Sequence, residues 1–204
     1  MKDQEEKELS VKEGLAYMPD YVTIEDYYHL PDDQRMELID GIFYDMAAPR
    51  IRHQLACMEI RDSINRYIKK NQGDCIVFDT PIDVVLEGDR DTVVQPDVTL
   101  ICDRSKLKSE RIVGAPEFIV EVLSESTRKK DMTVKQAKYA AAGVKEYWIV
   151  DLEKEKILVY DYQHDYNVSI YSLNDKVPVG IYHGKCEVDF AEIRDYIASV
   201  AGNP

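Results

Sequence analysis

The sequence lacks any long apolar run, and it lacks a net positive charge. No stretch of its 204 residues approaches the roughly 18 apolar residues that a membrane-spanning helix requires. No apolar segment follows the N-terminus as in a signal peptide, so we expect no membrane association. The formal net charge of −13 argues against general binding to a phosphate backbone, which needs a basic face. A local basic patch remains compatible with that charge, because salt screens charges beyond about 10 Å.

Cysteine is also scarce, and no two cysteines are close together in the chain. Cys57, Cys75, Cys102 and Cys186 form no C-x-x-C pair, and each lies among apolar residues. This pattern favours buried free thiols over disulfides or a zinc site. Free thiols are typical of a reducing compartment, so we predict a cytoplasmic location.

Internal repeats and low-complexity tracts are absent, while apolar residues make up 45% of the chain. That content is typical of a folded protein, and the length is sufficient to bury one core. Residues 1–19 are highly charged and end at Pro19, which predicts a flexible or loosely docked tail. We predict a single domain over residues 20–204.

Hydrophobic periodicity predicts a mixture of strands and helices. Asp40-Gly41 is a strong hairpin signal between strands 36–39 and 42–46, and residues 51–71 have a helical spacing of apolar positions. A strand over 117–123, a helix over 131–142 and a strand over 145–151 form a crossover unit. The sequence therefore predicts an α/β fold with a central mixed β-sheet flanked by helices.

Two carboxylates at the ends of predicted strands suggest a metal site. Glu121 interrupts an otherwise apolar strand, where an acid is costly unless a positive group meets it. Asp97 follows Pro96 at the start of another strand, and Lys135 lies on the helix after Glu121. A hard cation such as Mg²⁺ prefers carboxylate oxygens together with substrate phosphate. The same residues also allow ordinary structural roles, such as a turn cap for Asp97 or a simple ion pair between Glu121 and Lys135.

An ordered set of short motifs over roughly residues 22–200 resembles the PD-(D/E)XK, restriction-endonuclease-like superfamily. Within it, the similarity is to a large bacterial family of endonucleases that are mostly uncharacterised. The set consists of Glu37-Leu38-Ile39-Asp40-Gly41, Pro49 with His53-Gln54, Gln95-Pro96-Asp97-Val98, Gly114-Ala115-Pro116, Glu121-Val122-Leu123-Ser124, Ser126-Thr127, Asp131, Lys135, Tyr139, Gly143-Val144 and Glu146-Tyr147-Trp148-Ile149-Val150-Asp151.

The resemblance implies a metal-dependent nuclease site built from Asp97 and Glu121. The superfamily pattern expects a lysine two residues after Glu121, where this chain has Leu123. In this family the lysine is moved to the following helix, to the position of Lys135. Lys138 lies one turn further on, and the family position favours Lys135. Glu37 resembles the acid that some superfamily members add to the metal shell.

Three further residues are candidates for contact with a substrate phosphate. His53 begins the long helix, where a structural role such as capping is the alternative. Arg128 and Lys129 belong to a basic loop directly after the acidic strand, and such a loop is otherwise a solvated surface.

These observations predict a Mg²⁺- or Mn²⁺-dependent hydrolase that acts as an endonuclease on nucleic-acid phosphodiesters, with DNA expected. The alternative is a catalytically inactive nuclease-fold module for nucleic-acid or protein interaction, which the acidic net charge and Leu123 favour. A third hypothesis, hydrolysis of another phosphoester, shares the metal chemistry. Predicted strand edges and abundant tyrosines suggest a homodimer.

Overall fold

The computed structural model of the chain describes residues 21–31, 34–86 and 91–202, so the predicted tail over residues 1–19 lies outside the described part. The strands are β1 (Met36–Ile39), β2 (Ile42–Asp45), β3 (Ile76–Asp79), β4 (Val84–Val85), β5 (Val93–Val94), β6 (Val98–Ile101), β7 (Ile112–Val113), β8 (Phe118–Val122), β9 (Glu146–Asp151), β10 (Lys156–Asp161), β11 (Asn167–Ser172), β12 (Lys176–Pro178) and β13 (Glu187–Asp189). The α-helices are α1 (Ile24–Tyr27), α2 (Ile51–Lys70), α3 (Arg128–Lys130), α4 (Gln136–Ala142) and α5 (Phe190–Ala201).

A six-stranded sheet with the order β11-β10-β9-β8-β6-β3 forms the centre of the fold. Strands β8 and β9 are parallel, while the other neighbours pair antiparallel. The parallel pair needs a crossover, and the helical segment between β8 and β9 supplies it. The predicted mixed sheet flanked by helices is confirmed.

The two faces of β8 pack against different layers because successive side chains of a strand point to opposite sides. Phe118, Val120 and Val122 join a core with the apolar stripes of α2 and α5. Ile119 and Leu123 join a second core, which also contains residues of α4 and of a smaller sheet. Glu121 alternates with the first set, so its carboxylate lies on the side of the smaller sheet.

The smaller sheet has five strands in the order β2-β1-β5-β4-β7. Its β1–β2 hairpin turns at Asp40 and Gly41, with φ of 55° and 72°, as the Asp-Gly signal predicts. A Cβ on Gly41 would lie 2.5 Å from the ring of Tyr21, so only glycine fits there. This hairpin positions β1, and with it Glu37, in the smaller sheet.

The crossover is helical from Arg128 to Ala142, with a π-helical turn at Asp131–Lys135 between α3 and α4. A π turn inserts an extra residue and rotates the following side chains, and such turns are frequent at functional sites. Here Asp131 and Lys135, which begin and end the turn, are both buried. Gly143 ends the helix with φ of 91°, which a glycine adopts readily.

The prediction of four free thiols was wrong for two of them. Cys75 and Cys102 form a disulfide across β3 and β6. Ile76 pairs with Ile101 in this antiparallel register, so the cysteines occupy the next pair of positions along the two strands. Cys57 and Cys186 are free and buried, as predicted.

The antiparallel β12–β13 hairpin is not among the predicted elements. Val177 and Val188 face each other in it and are both fully buried against the first core. Within the described ranges, no helix is long and apolar enough to cross a membrane.

Candidate active site

A cleft of about 320 Å³ lies between the smaller sheet, the start of α2 and the segment that follows β8. Several strands, helices and loops contribute polar side chains to it, and these include the predicted residues Glu37, His53, Asp97, Glu121 and Lys135. The other lining residues are Arg35, Met46, Ala47, Ala48, Pro49, Arg50, Thr80, Gln95, Ser124, Glu125, Ser126, Thr127, Lys130 and Asp131.

Lys135 lies at the centre of the buried acids. Its Nζ is 2.5 Å from Glu121 Oε1, 2.8 Å from Glu37 Oε1 and 3.7 Å from Asp131 Oδ1. Burial alone lowers the pKa of Lys135, but the charges of Glu121 and Glu37 outweigh it and raise that pKa well above its usual range. The ammonium therefore stays protonated at neutral pH.

The side chain of Glu121 is buried on the face of the central sheet that is turned towards the smaller sheet. Its Oε1 accepts a hydrogen bond of 2.7 Å from the Tyr139 hydroxyl in addition to its contact with Lys135. Burial raises the pKa of Glu121 well above its usual range, and the nearby charges of Asp131, Asp97 and Glu37 add to the rise, while Lys135 opposes it. The single ammonium of Lys135 therefore does not fully compensate the negative charge of an ionised Glu121.

Asp97 lies beside Glu121 because β6 and β8 pair in the register that sets Val98 opposite Val120. The Asp97 Oδ2 atom accepts a hydrogen bond of 2.8 Å from the Val122 N–H and lies 3.1 Å from His53 Nε2. The side chains of Asp97 and His53 are each 14% exposed, towards the cleft. Oδ2 of Asp97 is thus held against the wall of the cleft by these two contacts.

Glu37 enters the cleft from β1. Its Oε1 accepts hydrogen bonds from the Gln95 N–H at 3.0 Å and from Lys135, and its Oε2 lies 2.5 Å from Lys130 Nζ. Burial by itself raises the pKa of Glu37, but Lys135 and Lys130 outweigh burial and lower it to about 2. Glu37 is therefore ionised over the whole physiological range.

Replacing Glu37 by glutamine is expected to cost stability at neutral pH but progressively less in acid. The folded-state pKa of Glu37, about 2, lies below its ordinary value of 4.5, so its charge stabilises the fold above about pH 4.5. That contribution is lost as the pH falls towards 2. Urea unfolding of both proteins at a series of pH values measures the difference, and a difference that stays constant from pH 7 to pH 3 contradicts the assignment.

The two other predicted phosphate contacts lie away from the cleft lining. Arg128 forms a two-pronged ion pair with Asp151, and its Nη2 is also 3.0 Å from Glu153 Oε2. Lys129 is exposed. Their neighbour Lys130 is the basic-loop residue that lines the cleft, next to Glu37 and over the Tyr44 ring.

The donor set of the cleft fits a hard divalent cation. Five carboxylates line it together with two lysines, and those of Glu37, Asp97, Glu121 and Asp131 are the buried or nearly buried ones. Oδ1 of Asp131 is buried and accepts no hydrogen bond from the described residues. Oxygen donors with excess negative charge are the ligands that Mg²⁺ prefers. Asp97 and Glu121 would hold the ion, whereas both oxygens of Glu37 are engaged by Lys130, Lys135 and the Gln95 N–H.

Comparison with known proteins identifies the family of this chain. Residues 24–180 match the sequence model of Uma2, described as "Putative restriction endonuclease". The chain belongs to the Uma2 family. The matched region spans Glu37, Asp97, Glu121 and Lys135, and the predicted membership of the restriction-endonuclease-like superfamily is confirmed.

A solved structure and one further sequence are among the proteins similar to this chain. The crystal structure of "a putative nuclease belonging to DUF820" from Anabaena variabilis superposes with a TM-score of 0.72 at 18% identity, over 86% of this chain and 99% of that chain. At this identity the likeness shows the fold alone. An uncharacterised protein of Synechocystis, slr1290, is 26% identical over 144 residues, which are 69% of this chain and 74% of that protein.

Sequence reasoning on the Uma2 chain missed the cleft role of Lys130 and the buried contacts of Asp131 and Tyr139. The motif order already contained Asp131 and Tyr139, but it assigned them no contact. Lys130 stood in a run of three basic residues, and the sequence offered no signal to separate them.

Proposed function

We propose that this protein is a Mg²⁺-dependent endonuclease that hydrolyses phosphodiester bonds of DNA. One observation carries the proposal: Glu121 on β8 and Asp97, directly before the paired strand β6, meet in one cleft with the buried ammonium of Lys135, 2.5 Å from Glu121. Membership of a family described as restriction endonucleases supports the nuclease class.

The proposed reaction requires a water oxygen to attack phosphorus while the bond from phosphorus to the leaving sugar oxygen breaks. The attacking water gives up one proton to solvent, and the leaving oxygen takes up one proton from solvent. A bound Mg²⁺ supplies a lowered pKa for the attacking water and stabilises the charge that develops on the phosphate. Asp97 and Glu121 position the ion, and the Val122 N–H and His53 hold the Asp97 carboxylate in place.

Lys135 acts in this proposal as a fixed positive charge. Because its pKa is raised well above the usual range, it holds its proton and does not serve as a general base at neutral pH. Its hydrogen bonds to Glu37 and Glu121 orient both carboxylates, and its charge favours the approach of a phosphate.

Cationic side chains stand beside the carboxylates of the cleft and offer local contacts for a DNA phosphate. Arg35, Arg50 and Lys130 all line the cleft, although the whole chain carries a net charge of −13. Screening limits the repulsion from distant acids, so these charges act on a phosphate at short range.

Replacing Lys130 by alanine is expected to weaken DNA binding roughly three- to tenfold and to reduce the salt dependence of binding by about one ion. Its ammonium has three donors and is able to contact a phosphate beside Glu37. Fluorescence anisotropy at several salt concentrations measures both effects. Lys129→Ala is the matched control, because Lys129 is exposed and does not line the cleft. Equal losses in the two variants contradict the role of Lys130.

The function is tested by incubating single- and double-stranded DNA and RNA with the protein and Mg²⁺ or Mn²⁺. We expect the protein to cut DNA strands at internal positions. This cleavage is expected to stop when a chelator is added and to be absent from Asp97→Ala. DNA binding without cleavage under every metal condition favours the inactive module and overturns the proposal. Cleavage that continues in the chelator excludes the metal mechanism.

The homodimer and the cytoplasmic location stay predictions. The exposed apolar side chains of the edge strand β11, Val168 and Ile170, mark the strand edge at which a second copy would pair.

A further inference from the structure

Cys57 is a buried thiol that the proposed hydrolysis does not use, and it contacts His53, which holds Asp97 in that proposal. Cys57 and His53 lie four residues apart on α2, so both side chains project from the same face of the helix. Cys57 is fully buried, whereas His53 reaches the cleft. The distance between Cys57 Sγ and His53 Nδ1 is 3.6 Å.

Asp97 completes a group of three different donors. On the other edge of the imidazole, His53 Nε2 is 3.1 Å from Asp97 Oδ2. Within the described part of the chain, Cys57, His53 and Asp97 each place one donor atom within 4.8 Å of the others. A sulfur, one imidazole nitrogen and a carboxylate oxygen thus lie close enough together to serve as ligands of one ion at the inner wall of the cleft.

This donor set suits a borderline-soft cation and not Mg²⁺. Zinc binds sulfur at about 2.3 Å and imidazole nitrogen at about 2.0 Å in tetrahedral sites, so the two donors of such a site lie about 3.5 Å apart. The observed separation of 3.6 Å agrees with that value. The partial exposure of His53 and Asp97 leaves the cleft side open to a water molecule as fourth ligand.

We propose that Cys57, His53 and Asp97 form a second metal site for Zn²⁺ or a similar cation, which inhibits the nuclease. The inhibitory part rests on the proposed function, because Asp97 is the residue that both sites share. A zinc ion held by Cys57 and His53 draws the Asp97 carboxylate away from the position beside Glu121. It also places a positive charge next to the Mg²⁺ position, which repels a second cation.

The site is tested by titrating the whole protein with Co²⁺, which substitutes for zinc and absorbs in the near ultraviolet when a thiolate binds it. Wild-type protein is expected to show this absorption with saturation at one equivalent. Cys57→Ser and Cys57→Ala are expected to lose it. Cys186→Ser, which alters the other buried free thiol, is the matched control and keeps it. Thiol reductants are omitted, so that Cys75 and Cys102 stay paired.

Inhibition is tested in the same variants. Zinc added during Mg²⁺-dependent cleavage is expected to inhibit wild type and Cys186→Ser, and at least about tenfold more zinc is needed for Cys57→Ser. Each variant is compared with its own rate without zinc, and circular dichroism checks that it is folded.

The outcomes separate this site from the nuclease assignment. The metal site is overturned if folded wild type shows no cobalt–thiolate absorption, or if both Cys57 variants keep that absorption. Cys57, His53 and Asp97 are then joined by hydrogen bonds and bind no metal. Absorption that depends on Cys57 in a protein that cleaves no nucleic acid supports the site and contradicts the proposed function alone. Cleavage with equal zinc sensitivity in all variants overturns the inhibitory role.

Discussion

Exchanging Asp97 for asparagine, or Glu121 for glutamine, is expected to lower the Mg²⁺-dependent kcat/KM for DNA cleavage by about 10³-fold. Each exchange removes one negative charge from the metal position, and a metal ion contributes about 4 kcal/mol of transition-state stabilisation in such sites. The amide oxygens still accept the hydrogen bonds from the Val122 N–H and the Tyr139 hydroxyl, so the fold is expected to persist. Steady-state cleavage assays measure the loss, and calorimetry with Mg²⁺ measures binding.

Glu117→Gln is the matched control for both exchanges. Glu117 is also buried, but it pairs with Lys106 at 2.7 Å and accepts from the Cys102 N–H, outside the cleft. Its replacement is expected to leave Mg²⁺ affinity unchanged. Undiminished cleavage by both Asp97→Asn and Glu121→Gln excludes the metal assignment.

Exchanging Lys135 for methionine is expected to abolish cleavage and to destabilise the protein by about 3–5 kcal/mol. Methionine retains most of the side-chain volume but leaves Glu121 and Asp131 buried without the ammonium that lies between them. Chemical denaturation measures the free energy of unfolding, and the same preparations are assayed for cleavage.

Two further variants distinguish this electrostatic effect from a packing defect. In a Glu121→Gln background, Lys135→Met is expected to destabilise less, because one of the uncompensated acids is already neutral. Lys138→Met is the control on the same helix, since Lys138 pairs with the half-exposed Asp40 and an exposed pair contributes at most about 1 kcal/mol. An equal cost for Lys135→Met in both backgrounds contradicts the charge network.

Several features of the site could be predicted because they depend on short-range patterns. Glu121 was identifiable as a costly acid within an apolar strand, and Asp97 as an acid at a strand start. The Asp40-Gly41 turn predicted the hairpin that carries Glu37, and the structure has that hairpin. The roles of these residues in catalysis stay predictions, although the structure brings Glu37, Asp97, Glu121 and Lys135 into one cleft.

Other features depend on rotation and register, which no short pattern specifies. Successive residues of a helix point about 100° apart, so Lys130 lines the cleft while Arg128 pairs with Asp151. The disulfide between Cys75 and Cys102 depends on the register of β3 against β6. A shift of one residue would have separated the two thiols.

The mixed α/β fold, the family and the acids of the cleft could be read from hydrophobic periodicity and motif order alone. Whether Lys135 reaches those acids depends on how the layers pack. Lys135 does so because the π turn at Asp131–Lys135 turns that side chain inward, towards Glu121 on β8 and Glu37 on a separate sheet. Attraction between residues 98 positions apart, such as Glu37 and Lys135, arises only after two layers have packed.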